Sequence, residues 1–187
     1  MISARSKKIR AKIKKDEIKR IKIGKIQKRI ASLGFFGLAS MLILLLFGYL
    51  KDPNQLVKSS FELNTSKNIT ELITHFLTNV PTIDGEIASS IKTTREGAWV
   101  TSSENNFFTL IEANFKTHEI SYNIYQSEFG VKGSWIIQFS QKHGTTILNI
   151  NEESLVNNLG QRALLYWKGN DIYCQNLFEA FNKSLLN

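Results

Sequence analysis

Apolar and polar residues alternate with a period of two from Ile87 to Glu153. Strict alternation marks strands with one face buried. The pattern predicts strands over 87–95, 97–103, 106–115, 118–126, 131–141 and 145–153, parted by Gly97, Glu104-Asn105, Lys116-Thr117, Gly130 and His143-Gly144. Trp135, Ile137 and Phe139 share one face of their strand, as do Leu148 and Ile150 of theirs. Short loops between strands at this spacing imply an antiparallel meander. Leu56 to Leu63 alternates as well, with Val57, Phe61 and Leu63 on one side. Asn64-Thr65-Ser66 offers helix caps before Ile69, Leu72, Ile73, Phe76 and Leu77, whose spacing is helical.

After Asn157-Asn158 the period changes. Ala163, Tyr166, Trp167, Cys174, Leu177, Phe178, Phe181 and Leu185 form a stripe at three- and four-residue steps. This predicts a long C-terminal amphipathic helix, with Gly169-Asn170 as its weak point. A strongly curved antiparallel sheet needs its concave face filled, and this helix is the element large enough to do so. The expected class is α+β, a sheet wrapped around a helix.

The N-terminal region follows neither pattern. Leu33 to Leu50 is uncharged, centred on Met41-Leu42-Ile43-Leu44-Leu45-Leu46-Phe47, and Lys51-Asp52-Pro53 ends it. As a helix it would reach about 27 Å, near the ~30 Å thickness of a bilayer core. We therefore expect a transmembrane helix at 32–50, in place of a cleaved signal peptide or a buried soluble helix.

Charge sharpens this reading. The chain of 187 residues carries a net +8, but 13 of its 24 Lys and Arg lie in residues 1–31 against only Asp16 and Glu17. The remainder is mildly acidic, which argues against a phosphate-gripping domain and a nucleic-acid partner. The positive-inside rule puts residues 1–31 in the cytoplasm and residues 51–187 outside the cell membrane, in a periplasmic or extracellular setting. The basic tail, with Ile9/Ile13, Ile18/Ile21 and Ile26/Ile30 at helical spacing, suits anionic lipid headgroups or simply sets topology.

The order of elements after residue 51 resembles the helix-grip fold of the START-like superfamily, also called polyketide cyclase or SRPBCC-like. The similarity is carried by Gly133-Ser134-Trp135-Ile136-Ile137-Gln138-Phe139, by His143-Gly144-Thr145-Thr146-Ile147-Leu148, and by Asn158, Leu159 and Arg162 opening the last helix. Two features common in that group are absent here: a Pro with a Val-Trp pair at 67–73, and a Trp near Pro81-Thr82. The resemblance implies a cavity between sheet and helix for a hydrophobic small molecule or lipid. Residues chosen for its lining are Trp99, Trp135, Ile137, Leu148, Tyr166 and Phe181, with Arg162 available for a ligand carboxylate or phosphate, or for pairing with Glu152 or Glu153.

Catalytic chemistry is sparse. His75, His118 and His143 lack the partner spacing of a metal site, and no cofactor motif occurs. Cys174, the single cysteine, lies on the apolar stripe and reads as a core residue. Three functions remain open: a membrane-anchored binding module, an envelope interaction protein without a ligand, and a cyclase- or hydrolase-type enzyme using His118, His143, Glu112 or Arg162.

Overall fold

The computed structural model describes residues 35–50, 54–103, 105–128 and 130–186. The basic tail and the first residues of the expected span lie outside the described residues. The chain divides into two compact units, Met1–Leu44 and Leu45–Asn187. Residues 35–50 are helical, here α1. Among the described residues no helix is long and apolar enough to cross a membrane. The described part of the expected span is strongly apolar, and Phe35, Phe36, Leu38, Met41 and Leu42 are each more than half exposed.

Seven strands form one antiparallel sheet: β1 (Asn54–Leu63), β2 (Ser90–Thr93), β3 (Ala98–Thr101), β4 (Asn106–Asn114), β5 (Glu119–Ser127), β6 (Val131–Lys142) and β7 (Thr145–Val156). Their order in space is β1-β7-β6-β5-β4-β3-β2. Chain neighbours from β2 to β7 are hairpin partners, as the short loops require. The first strand closes the far edge, pairing Val57 with Glu152 and Phe61 with Leu148. His118 (φ 55°) and His143 (φ 50°) take left-handed conformations in the β4–β5 and β6–β7 turns, a region histidine enters more readily than bulky apolar residues do.

Three helices complete the domain: α2 (Ile69–Thr78), α3 (Leu159–Lys168) and α4 (Ile172–Leu186). The cap of α2 is Asn68, later than the expected Asn64-Thr65-Ser66. Its side chain accepts from the Glu71 amide at 2.8 Å while Glu71 receives its Nδ2 at 3.1 Å. This reciprocal capping satisfies amides that the first helical turn leaves free. The expected single C-terminal helix is two. Asn158 caps α3 by accepting from Gly160 N and Gln161 N, and Gly169, at φ 106°, ends it.

The break decides which residues of the apolar stripe reach the core. Cys174, Leu177 and Phe181 of α4 are buried against the concave face. Phe178 stacks on Phe61 at 4.6 Å, and Phe181 meets Phe76 at 5.4 Å and Phe139 at 6.2 Å. Tyr166 and Trp167 of α3 are instead 52% and 63% exposed. Phe47 near the end of α1 stacks on the Tyr166 ring at 4.5 Å and meets Trp167 edge-on at 5.9 Å.

Candidate functional site

Strand register sorts the concave face into rows. The central row runs Ile111, Tyr122, Trp135, Glu152 and Val57 across β4, β5, β6, β7 and β1. A second row holds Ala113, Ile120, Ile137, Ile150 and Ser59. Phe139, Leu148 and Phe61 follow on the last three strands. The α4 helix lies along these rows, with Cys174 beside Glu152 and Phe181 beside Phe139.

The central row is unusual for a core. Tyr122, Trp135 and Glu152 are all fully buried. Burying a carboxylate is costly unless hydrogen bonds compensate it. Glu152 accepts from Ser154 Oγ at 2.6 Å and from Cys174 Sγ at 3.1 Å. Tyr122 and Trp135 sit on adjacent strands with ring centroids 6.2 Å apart. Among the described residues the Tyr122 hydroxyl and the Trp135 indole nitrogen have no hydrogen-bond partner, and neither has Arg162 Nε on α3.

Burial, then the charge of nearby Asp84, pushes the Tyr122 hydroxyl above its ordinary pKa. Asp84 itself accepts from Thr82 Oγ1, from Ser102 Oγ at 2.6 Å and from Asn105 Nδ2 at 2.8 Å. It ties the 82–86 loop to the β3–β4 turn, so its role is structural. Burial pushes the Cys174 thiol up, and the neighbouring Glu152 carboxylate pushes it further. A thiol held protonated is a poor nucleophile. In the native state Cys174 should react with a disulfide reagent such as DTNB at pH 8 at least about a hundredfold more slowly than in denaturant. Thionitrobenzoate release measures this, and equal rates would contradict the burial.

His75, on α2, bonds Ser184 Oγ at 3.0 Å through Nε2. Desolvation, then Lys67, holds its pKa below the ordinary imidazole value. Among the described residues no group of three or more His, Cys, Asp or Glu side chains could hold a metal ion.

The interior has a mouth. A groove of about 510 Å³ has Leu77 and Val80, at the end of α2, on one wall. Ala98, Val100, Thr109 and Ile111, from the concave side of β3 and β4, form the other. This is the part of the sheet that α4 leaves uncovered. A larger groove of about 1070 Å³ crosses the outer face of the sheet, past Leu56, Asn123, Tyr125, Lys132, Ser134 and Glu153. It lies on the side of the sheet away from the helices, so of the two only the inner mouth leads towards the core.

The residues chosen from the sequence divide between these regions. Trp135, Ile137, Leu148 and Phe181 are brought together in the buried core beneath the helices. Trp99 does not join them. It lies on the outer face, 37% exposed, against Phe108 at 5.2 Å. Tyr166 is on the exposed side of α3. Arg162 is half-buried on α3, and the Glu152 carboxylate takes Ser154 and Cys174 as donors. Of the residues weighed for catalysis, Glu112 is exposed on β4 and the two turn histidines sit in separate hairpin turns.

Glu152, Tyr122, Val80 and Ile111 were missed. A signal for Glu152 existed: it continues the inward parity of Leu148 and Ile150, and Ser154 and Val156 extend it.

No protein-family model matches the chain, and no curated protein matches it in sequence. Solved structures do match in fold. A conserved protein from Geobacillus kaustophilus aligns with a TM-score of 0.53 and 13% identity, covering 71% of this chain and 95% of that one. The protein XoxI from Bacillus cereus aligns with a TM-score of 0.51 and 18% identity, covering 71% of this chain and 96% of that one. A START superfamily protein from Mycobacterium smegmatis aligns over 70% of this chain and 98% of that one, with a TM-score of 0.43 and 10% identity. The seven-stranded antiparallel sheet packed around the C-terminal helix α4 is in itself a helix-grip arrangement. Likeness at these identities extends to the fold alone, and what the domain holds must be argued from its own residues.

Proposed function

We propose that this chain is a membrane-tethered START-like module that holds a hydrophobic small molecule or lipid between its sheet and its helices. The observation that carries the reading is the 510 Å³ mouth, where Leu77, Val80, Val100 and Ile111 gather apolar surface inside a rim that includes Thr94, Arg95 and Glu96. Its size falls within the range of small-molecule sites. It opens on the part of the concave face nearest the unpartnered phenol and indole.

The tether is argued from α1. Its large side chains are exposed along 35–46, and apolar surface of this extent needs cover from water. Together with the 13 basic residues upstream, it favours a bilayer with residues 1–31 in the cytoplasm and the folded domain outside. Tethering would keep the mouth near the phase in which apolar ligands dissolve.

Native mass spectrometry of the full chain released from detergent micelles tests the ligand. An apolar molecule should stay bound and be lost in Leu77→Lys, which puts a charge on the wall of the mouth. A chain that carries nothing and takes up nothing from a membrane extract would sink the reading. Alkaline carbonate washing tests the tether: the chain should remain in the membrane pellet, and release into the supernatant would refute it.

A second reading, an interaction protein of the cell envelope, draws on the outer face. There Trp99, Phe108 and Tyr125 line up beside the 1070 Å³ groove, with Leu56 71% exposed. It predicts a protein partner whose binding is lost in Trp99→Ala with the inner mouth untouched, and partner capture insensitive to that substitution would dismiss it.

A further inference from the structure

The central row says what kind of molecule would suit this interior. Trp135 and Tyr122 are opposed partners on β6 and β5, so their side chains leave the sheet side by side. Each is fully buried, and each carries a polar atom without a partner among the described residues. Buried polar groups are nearly always hydrogen-bonded, because leaving one unmet costs most of its desolvation energy. An orphan at one position is a local defect. Here two orphans lie on neighbouring rings of one row, with centroids 6.2 Å apart.

The mouth lies one strand away from that pair. Ile111 lines the mouth and is the register partner of Tyr122. Neither Tyr122 nor Trp135 lines the mouth itself, so a ligand entering over Ile111 must part the side chains of the core to meet the phenol and then the indole. Beyond the indole stands Glu152, directly opposed to Trp135 on β7. An indole N–H only donates, so its partner must be an acceptor, while a phenol hydroxyl can donate or accept. An anionic head here would share the row with the Glu152 carboxyl, and two carboxyl groups sharing a site disfavour the ionisation of both.

We propose that Trp135 Nε1 and Tyr122 Oη bind the single polar group of a neutral amphiphile, a ketone, ester or hydroxyl on an apolar body, and that the row selects against fatty acids. This rests on the ligand-holding reading above and goes further by naming the ligand class and the two atoms that recognise it.

Three probes of one chain length separate the possibilities: 2-tridecanone, tridecane and tridecanoic acid. Each is titrated into the full chain in nanodiscs of zwitterionic phospholipid. The indole N–H signals of the three tryptophans are followed by nitrogen-15 NMR, and that of Trp135 is assigned by its loss in Trp135→Phe. The ketone should move the Trp135 signal downfield and bind about tenfold more tightly than the alkane, the worth of one or two buried hydrogen bonds. The acid should bind more weakly than the ketone. Tyr122→Phe should cut the ketone's advantage severalfold, and should leave the melting temperature unchanged because the hydroxyl has no internal partner to lose.

Equal binding of ketone and alkane would overturn the polar locus and leave an apolar pocket standing. Tighter binding of the acid would overturn the selection by charge. A marked drop in melting temperature for Tyr122→Phe would show that the hydroxyl is satisfied within the fold, which also refutes the assignment. Failure of all three probes, the alkane included, would remove the ligand-holding reading itself.

Discussion

Replacing Phe181 by alanine is expected to cost about 3–5 kcal/mol, the usual range for truncating a fully buried aromatic. Phe181 has no exposed surface. It joins α4 both to α2, at Phe76, and to the sheet, at Phe139. Its loss would leave a cavity where three elements join, and the surroundings can collapse only partly. Domains of this size are stable by roughly 5–15 kcal/mol, so the variant should fold marginally or not at all. Urea unfolding followed by tryptophan fluorescence gives the value. A shift worth less than about 1 kcal/mol would mean that α4 is not held at this point. Phe178→Ala provides the comparison. Phe178 is only half-buried and stacks on Phe61, so its removal should cost clearly less.

A second large effect is expected at Gly133. A Cβ built there would stand 2.6 Å from the Glu153 carbonyl oxygen and 2.8 Å from Ser154 Cα. Both are backbone atoms of β7, so no side-chain rotation relieves the contact. Gly133 pairs with Ser154 on one side and with Ile124 on the other. That last pair is where the registered contact between β5 and β6 ends. The missing side chain thus lets β7 press close against β6 where the sheet changes its pairing. Gly133→Ala should force the two strands apart at a cost of about 3 kcal/mol, the upper end of what overpacking usually costs. The change would be read as a lower denaturation midpoint with an unchanged slope. A variant within about 0.5 kcal/mol of the parent would show that the strands give way easily.

Much of the fold was legible in the residues because strands announce themselves. With one face buried, a one-residue slip would turn every inward side chain outward, so alternation specifies element and register together. That logic placed the strands from Asn106 to Val156 within a few residues of where they run. It also put Trp135, Ile137 and Phe139 on one face. It worked less well where alternation is weak. In β3, Ala98-Trp99-Val100-Thr101 has large apolar residues of both parities, so nothing local says whether Trp99 or Val100 turns inward. Pairing of Val100 with Phe107 buries the valine and leaves Trp99 to pair with Phe108 on the outer face. Periodicity also misjudged α3. Tyr166 and Trp167 continue the spacing of the stripe, but the turn at Gly169 re-aims the chain, and they meet Phe47 in place of the sheet.

What the sequence determined by itself was the class: a curved antiparallel meander closed by C-terminal helices, preceded by a basic tail and an uncharged run. Those features depend on local periods and on charge summed along the chain, and both can be read without coordinates. Only the tertiary structure decided the site. The phenol of Tyr122, the indole of Trp135 and the carboxyl of Glu152 come from three strands and share a row only because register opposes them. The mouth exists because α4 covers the β1–β7–β6 side of the sheet and leaves β3 and β4 to Leu77 and Val80. Such juxtapositions join residues up to several dozen positions apart, and no local period encodes them.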